Sequence, residues 1–199
     1  RWRLIKYRND ARIKSLKELK GYLSGDSAVN GGCYSCPGMQ ALFMYRFGVW
    51  QRGLAKGLVR SLCYGIYITM HVLVRNFYGI EMFSSAHIGR RLKIAHQHGI
   101  VLHPKVVIGE DCLIRQGVSI GRASNRGGGV RAQAPTIGNR VDIGAGAVII
   151  GGITIGDDVV IGPNAVVMTN VPNGAMVSVG PARIIARPPR TTTSREDSD

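Results

Sequence analysis

The sequence predicts a mainly β chain: a parallel β-helix of hexapeptide repeats preceded by an α-helical region. Two observations predict it. From Ile137 an aliphatic residue returns at every sixth position (Ile137, Ile143, Ile149, Ile155, Ile161, Val167), and Gly138, Gly144, Gly156 and Gly162 follow four of them. Before Tyr78 the apolar spacing is helical instead, so the period changes partway along the chain.

A period of six fits neither a helix face nor an alternating strand. It fits a triangular prism in which each hexad forms one short strand, the aliphatic residue points inward and the small residue allows the corner. Three hexads complete a coil, and coils stacked about 4.8 Å apart share parallel β hydrogen bonds over an aliphatic column. Ile108, Ile114 and Ile120 hold one phase and Ile88 and Ile94 another, so the phase slips twice. Residues 122–136, RASNRGGGVRAQAPT, interrupt the prism as a basic, Gly-rich loop, a place where function often sits.

The region 1–78 reads as helical. Ala11, Ile13, Leu16, Leu19 and Leu23 recur between lysines and predict a basic amphipathic helix over 9–23. A turn-rich linker is expected over 25–38, then helices over 39–51 and about 54–77. The β-helix is expected over 79–187, followed over 188–199 by a tail whose composition is that of disorder.

With 199 residues, the chain has room for one globular unit or a small helical part joined to a larger one. A net charge of +14 points to anionic partners, and eight of the first twenty residues are Lys or Arg. No basic patch with interleaved aromatics follows, which argues against a nucleic-acid platform. The apolar stretch 62–74 is interrupted by His71 and is shorter than the roughly 20 residues that span a bilayer. No secretory signal is read at the start, and a cytoplasmic protein is expected, with its basic helices able to dock on the anionic inner face of a membrane. Cys33, Cys36, Cys63 and Cys112 do not make a disulfide scaffold in a chain of this size. The CxxC of Cys33 and Cys36 lacks the further ligands of a zinc site and the βαβ context of a thioredoxin motif, so both read as loop cysteines in a reducing compartment.

The hexads, together with GIEMFSSAHIGRRLKIAHQHGIVLHP (79–104), IRQGVSIG (114–121) and GPARII (180–185), resemble the serine acetyltransferase group of hexapeptide-repeat acyltransferases. That resemblance implies left-handed coiling, a homotrimer with sites between subunits, and acetyl-CoA as donor, with no metal. It places a catalytic histidine at His96 and its acidic partner, fifteen residues earlier, at Glu81, where the family usually has Asp. The chemistry suits the pair: an attacking alcohol must lose its proton, and a neutral imidazole held by a carboxylate can accept it. His98 and His103 receive no assigned role and read as cleft-lining or surface residues.

The departures are informative. Ala95, Gln133 and Ala134 stand where the family carries the Asp, Arg and His that grip the ammonium and carboxylate of serine, and charged hydrogen bonds of that kind carry much of the recognition. The overall layout looks more like the acetyltransferases of colanic-acid and capsule gene clusters. Those act on a carbohydrate hydroxyl, and the acceptor can be free, nucleotide-linked or lipid-linked. For coenzyme A the resemblance implies contacts near Gly121, Ala145 and Gly162, with Arg183 and Arg187 toward its phosphates. Serine O-acetylation and a non-catalytic β-helix scaffold are the alternatives. Cys112 falls within a hexad and reads as packing, not as a nucleophile.

Overall fold

The structure, a computed structural model, describes residues 13–123 and 133–180. Three helices, α1 (Leu16–Val29), α2 (Pro37–Arg52) and α3 (Leu58–Tyr78), precede fourteen short strands among the described residues. They are β1 (Ile80–Glu81), β2 (His87–Ile88), β3 (Lys93–Ala95), β4 (Ile100–Leu102), β5 (Val107–Ile108), β6 (Leu113–Arg115) and β7 (Ser119–Gly121), then β8 (Thr136–Ile137), β9 (Asp142–Ile143), β10 (Val148–Ile150), β11 (Thr154–Ile155), β12 (Val160–Ile161), β13 (Val166–Val167) and β14 (Met176–Val177).

Strands three apart pair in parallel, except that β14 follows β12, the intervening place on the second wall being a single bridge from Val171 to Ile155. One wall is β1-β4-β7-β10-β13, the second β2-β5-β8-β11 and the third β3-β6-β9-β12-β14. This is the expected left-handed parallel β-helix. Ile88, Ile108, Ile137 and Ile155 stack in register on the second wall, and each is buried to within 1%. A second inward residue two places earlier, such as Val106, Cys112, Val118, Val141 or Val159, fills the corners. Cys112 packs there as expected, its Sγ 3.2 Å from the Gly138 carbonyl, and burial pushes its thiol up to about 11.

The repeated glycines serve a purpose other than the expected corner conformation. Between the second and third walls the chain turns as Gly89-Arg90-Arg91, Gly109-Glu110-Asp111, Gly138-Asn139-Arg140 and Gly156-Asp157-Asp158, and the left-handed φ falls on Arg91, Asp111, Arg140 and Asp158, at +54 to +58°. The glycines are needed for clearance. A Cβ on Gly109 would lie 2.5 Å from the Gly138 carbonyl oxygen. Outside them an ion-pair ladder follows the corner, with Arg91 on Asp111 and Glu110 and Arg140 on Asp158. Bonds from Arg91 and Arg140 hold the Asp111 and Asp158 carboxyls below their usual range.

The helices close the open end of the solenoid, whose first strands have no coil above them. Side chains take over that role. Tyr45 accepts from the Ile88 amide (3.0 Å) and donates to the Ala86 carbonyl (2.9 Å), while Tyr67 accepts from the Ser84 amide (3.1 Å). Asn30 bridges the Ile94 amide and the Leu92 carbonyl, and Asp26 accepts from the Leu92 amide.

Four expectations are corrected. The first helix begins at Leu16, because Ser15 caps it by accepting from the Glu18 amide (3.1 Å) while Glu18 accepts from the Lys14 amide; residues 1–12 lie outside the described set. It then continues to Val29 through the expected linker, because Asp26 and Ser27 are buried and Asp26 is held by Arg46 of α2 and by the Leu92 amide just before β3. Cys33 and Cys36 are not separate loop thiols: the turn whose Cys36 amide donates to the Cys33 carbonyl brings their Cα atoms to 5.5 Å, and a disulfide joins them at the start of α2. Finally, the inserted segment rejoins the prism before Thr136, which already lies in β8, with the Pro135 carbonyl accepting from the Val107 amide.

Candidate functional site

The first phase slip locates a distinctive corner. Core positions Ile114 and Ile120 are six residues apart, but their counterparts one coil above, Ile94 and Leu102, are eight apart. The two extra residues bulge between β3 and β4 at His96-Gln97-His98-Gly99, where His96 (φ +60°), His98 (φ +90°) and Gly99 (φ +68°) all adopt left-handed backbone. Two non-glycine residues held that way within one turn are uncommon, and such strain gathers at functional sites. The four residues 96–99 are exposed.

Below the bulge runs a column of corner residues with the same conformation: Gly99, Gly117, Gly146 and Asn164. Successive coils are bonded through it, the Gly117 amide to the His98 carbonyl (2.9 Å), Gly146 to Gln116 (2.9 Å) and Asn164 to Ala145 (2.8 Å). A Cβ on Gly117 would lie 3.3 Å from the Gly146 Cα, so this edge offers a backbone surface without side chains at that level. His96, Ala145 and Gly162 therefore share one edge of the prism, His96 uppermost and Ala145 two coils lower, about 10 Å away by the coil spacing.

Other expected residues lie elsewhere. Gly121, His103, Gln133 and Ala134 sit at the next edge, where the inserted segment leaves after Ala123 and returns; His103 stands one coil above Gly121, and its pKa is lowered by partial burial and by nearby Arg122 and Lys105. Arg183 and Arg187 lie outside the described residues.

Glu81 is half-buried on β1, in register with Val101 of β4, so it flanks the strand into which the His96 bulge feeds. Among the described residues no hydrogen bond joins Glu81 to His96. The Glu81 carboxylate acts electrostatically on His71 of α3, a buried imidazole set against Phe83 and Tyr67 at 5.1 and 5.8 Å between ring centres. Burial, reinforced by Arg75, lowers the His71 pKa, and the Glu81 carboxylate and the Met82 backbone offset part of that fall.

Ala95 faces outward on β3 and pairs with Arg115 of β6. Arg115 in turn is held by Asp142 of β9, its Nη2 3.3 Å from Oδ2. Sequence reasoning passed over this ion pair because an Arg inside a hexad reads as a solvated wall residue. It also passed over His71, which only the packing of α3 on the prism brings within the field of the Glu81 carboxylate. The eight-residue interval from Ile94 to Leu102 was the available signal for the bulge. Among the described residues no group of three or more His, Cys, Asp or Glu is placed to hold a metal ion.

Residues 134–169 match the bacterial transferase hexapeptide model of six repeats. The chain is 39% identical over 117 residues to a serine acetyltransferase of Helicobacter pylori, covering 59% of this chain and 63% of that protein. It is 37% identical over 106 residues to an Escherichia coli protein named "Putative colanic acid biosynthesis acetyltransferase WcaB", covering 53% and 61%. Among solved structures, serine acetyltransferase of Neisseria gonorrhoeae superposes with a TM-score of 0.67 at 26% identity, covering 86% of this chain and 69% of that one. In repeat, sequence and fold the chain is similar to the serine acetyltransferase group of hexapeptide-repeat acyltransferases. The chain spans less than two thirds of the length of the curated relatives it matches.

Proposed function

We propose that the chain is an acetyl-CoA-dependent O-acetyltransferase whose acceptor is a carbohydrate hydroxyl of an exopolysaccharide or capsule building block. The observation that carries the reading is His96: an exposed imidazole on a left-handed bulge at the head of the corner column that includes Ala145. A donor lying along that column would present its thioester near the bulge. His96 then takes the proton from the acceptor hydroxyl as its oxygen attacks the thioester carbonyl, and the imidazolium returns that proton to the departing coenzyme A sulfur. The family resemblance assigns Glu81 the role of orienting the imidazole, the two side chains being unbonded in this structure. Acetyl passes directly, and Cys112, buried with its thiol pushed up to about 11, is ill suited to act as a nucleophile.

Gly121, Ala145 and Gly162 supply backbone contacts to the donor, and Arg183 and Arg187 its phosphate partners. A sugar is favoured over serine by Ala95, Gln133 and Ala134, which leave a zwitterion without its charge partners. Serine O-acetylation is the second reading, supported by the Helicobacter pylori relative. A homotrimer completes the site between subunits in either case.

The test follows coenzyme A release with serine, nucleotide sugars and oligosaccharides in turn. Turnover with a saccharide and little with serine supports the proposal, and strong turnover of serine alone overturns the acceptor. If no acceptor is turned over and His96→Asn leaves polysaccharide acetylation in cells unchanged, the β-helix is a scaffold.

A further inference from the structure

From Ser27 to Ile80 the chain carries no Asp or Glu, yet it holds Arg46, Arg52, Lys56, Arg60 and Arg75. Arg46 is matched by Asp26 in a buried pair. Three of the others converge on a cavity of about 490 Å3 at the α2–α3 turn, lined by Arg52, Lys56 and Arg60 and by no acidic residue. That volume lies in the range of small-molecule sites.

The cavity has more than charge. Arg60 is half-buried and held in place, its Nη1 3.4 Å from the Leu54 carbonyl of the same turn. Gln51 also lines the cavity; it is only 2% exposed, and its side-chain amide makes no hydrogen bond among the described residues. A buried amide left so is costly until a partner completes it. Helix α3 begins at Gly57, on the cavity wall, without a side-chain cap. Its first backbone bond runs from the Ser61 amide to the Gly57 carbonyl, so the amides of Leu58, Val59 and Arg60 have no partner within the helix. They and the helix dipole add to the positive potential.

The prism side does not offset this charge. Ser84, on the opposite wall of the cavity, lies between β1 and β2 at the corner joining the first and second walls. On the coils below, that corner carries Lys105 and Arg122, both of which depress the His103 pKa. Guanidinium, ammonium and backbone amide groups donate and do not accept, so the lining selects an oxyanion, and several such donors around one cavity select a multiply charged one.

We infer that the cavity between the α2–α3 turn and Ser84 is a binding site for a phosphate-bearing ligand with at least two negative charges. Arg60 and the first amides of α3 hold the phosphate, the more exposed Arg52 and Lys56 close over it from the rim, and Gln51 completes its own bonding on the ligand. The site stands at a different edge of the prism from His96, which lies between the third and first walls, so the inference does not rest on the acetyl-transfer reading. A soluble diphosphate ester and a lipid headgroup share this chemistry, and the test separates them.

The test is calorimetric titration of the full chain with inorganic pyrophosphate, beside co-sedimentation with phosphatidylcholine vesicles that carry phosphatidic acid. Uptake that weakens as salt rises, and a higher melting temperature with the bound probe, are expected. Lys56→Gln and Arg60→Gln should each weaken uptake roughly tenfold, and Gln51→Met should weaken it as well, whereas Lys17→Gln on α1 should leave it unchanged. Circular dichroism separates lost uptake from lost folding, and Lys56, being exposed, gives a variant that keeps the fold. Pyrophosphate uptake that the cavity variants lose, with vesicles left unbound, supports the inference and names a soluble ligand. Co-sedimentation that the same variants lose supports it and names a lipid headgroup. Absence of uptake of both probes, or cavity variants that bind like the parent, would overturn it.

Discussion

Asp26 of α1 and Arg46 of α2 form an ion pair in which neither side chain is more than 1% exposed, with Arg46 Nε 2.8 Å from Asp26 Oδ2. Arg46 also donates to the Ile88 carbonyl (2.7 Å) and the Gly89 carbonyl (2.5 Å), and Asp26 accepts from the Leu92 amide (3.2 Å). The rings of Tyr22 and Tyr45 lie 4.9 and 5.2 Å from its guanidinium carbon. The pair thus pins two helices to the first corner of the β-helix.

Breaking the pair leaves one charge buried and unmatched. Asp26→Asn or Arg46→Met is expected to cost about 3–5 kcal/mol, read from the urea midpoint. Asp26→Leu combined with Arg46→Met should recover part of that loss, because two apolar side chains leave no unmatched charge. Additive losses in the double variant would show that the carbonyl contacts of Arg46, and not its pairing, hold the corner.

The glycines separate clearance from propensity. Gly109→Ala would put a Cβ 2.5 Å from the Gly138 carbonyl oxygen and from Asn139 Oδ1, forcing coils apart at a cost of about 1–3 kcal/mol. Gly21, inside α1, has no atom within 4 Å of such a Cβ, and Gly21→Ala should stabilise by about 0.5–1 kcal/mol. Thermal melts of the two variants should therefore shift in opposite directions.

The solenoid was legible because its core repeats: Ile137 to Val167 carry the period without interruption, and a periodic core fixes which residues face inward. The helical end was less so. Asp26, Asn30, Tyr45 and Tyr67 act by hydrogen-bonding backbone distant in sequence, and no local pattern announces such partners. The site was half legible. His96 was singled out by resemblance alone, and the eight-residue interval announced the bulge on which it sits but not a role for it. The field of Glu81 on His71 and the Arg115–Asp142 pair beside Ala95 depend on how coils and helices meet.

His96→Asn tests the proposed base while sparing the bulge, since Asn tolerates a left-handed φ such as the +60° seen there. Loss of a general base is expected to lower kcat by roughly 10²- to 10⁴-fold with KM for acetyl-CoA little changed. Glu81→Gln should cost less, because the imidazole remains and only its orientation is loosened. Steady-state kinetics on the two variants check this; a Glu81→Gln loss as large as that of His96→Asn would mean Glu81 does more than orient.

His71 gives the fold a pH dependence with a definite sign. Its pKa is lowered, mainly by burial and then by Arg75, so the folded state favours the neutral ring. As pH falls, the unfolded chain takes up this proton first, near the ordinary histidine value of about 6.5. The contribution is therefore complete above about pH 6.5 and is lost as pH drops toward the lower folded value. Partly buried His87 and His103 are shifted the same way and add to the slope. Asp111 and Asp158, with lowered carboxyl pKa values, act in a separate window below about pH 4. His71→Phe keeps the aromatic contact with Phe83 and removes the titrating group, so urea midpoints measured from about pH 8 to about pH 5 should fall less steeply in the variant than in the parent. Parallel curves would show that His71 exchanges its proton equally in both states, and the slope would then belong to the other two histidines.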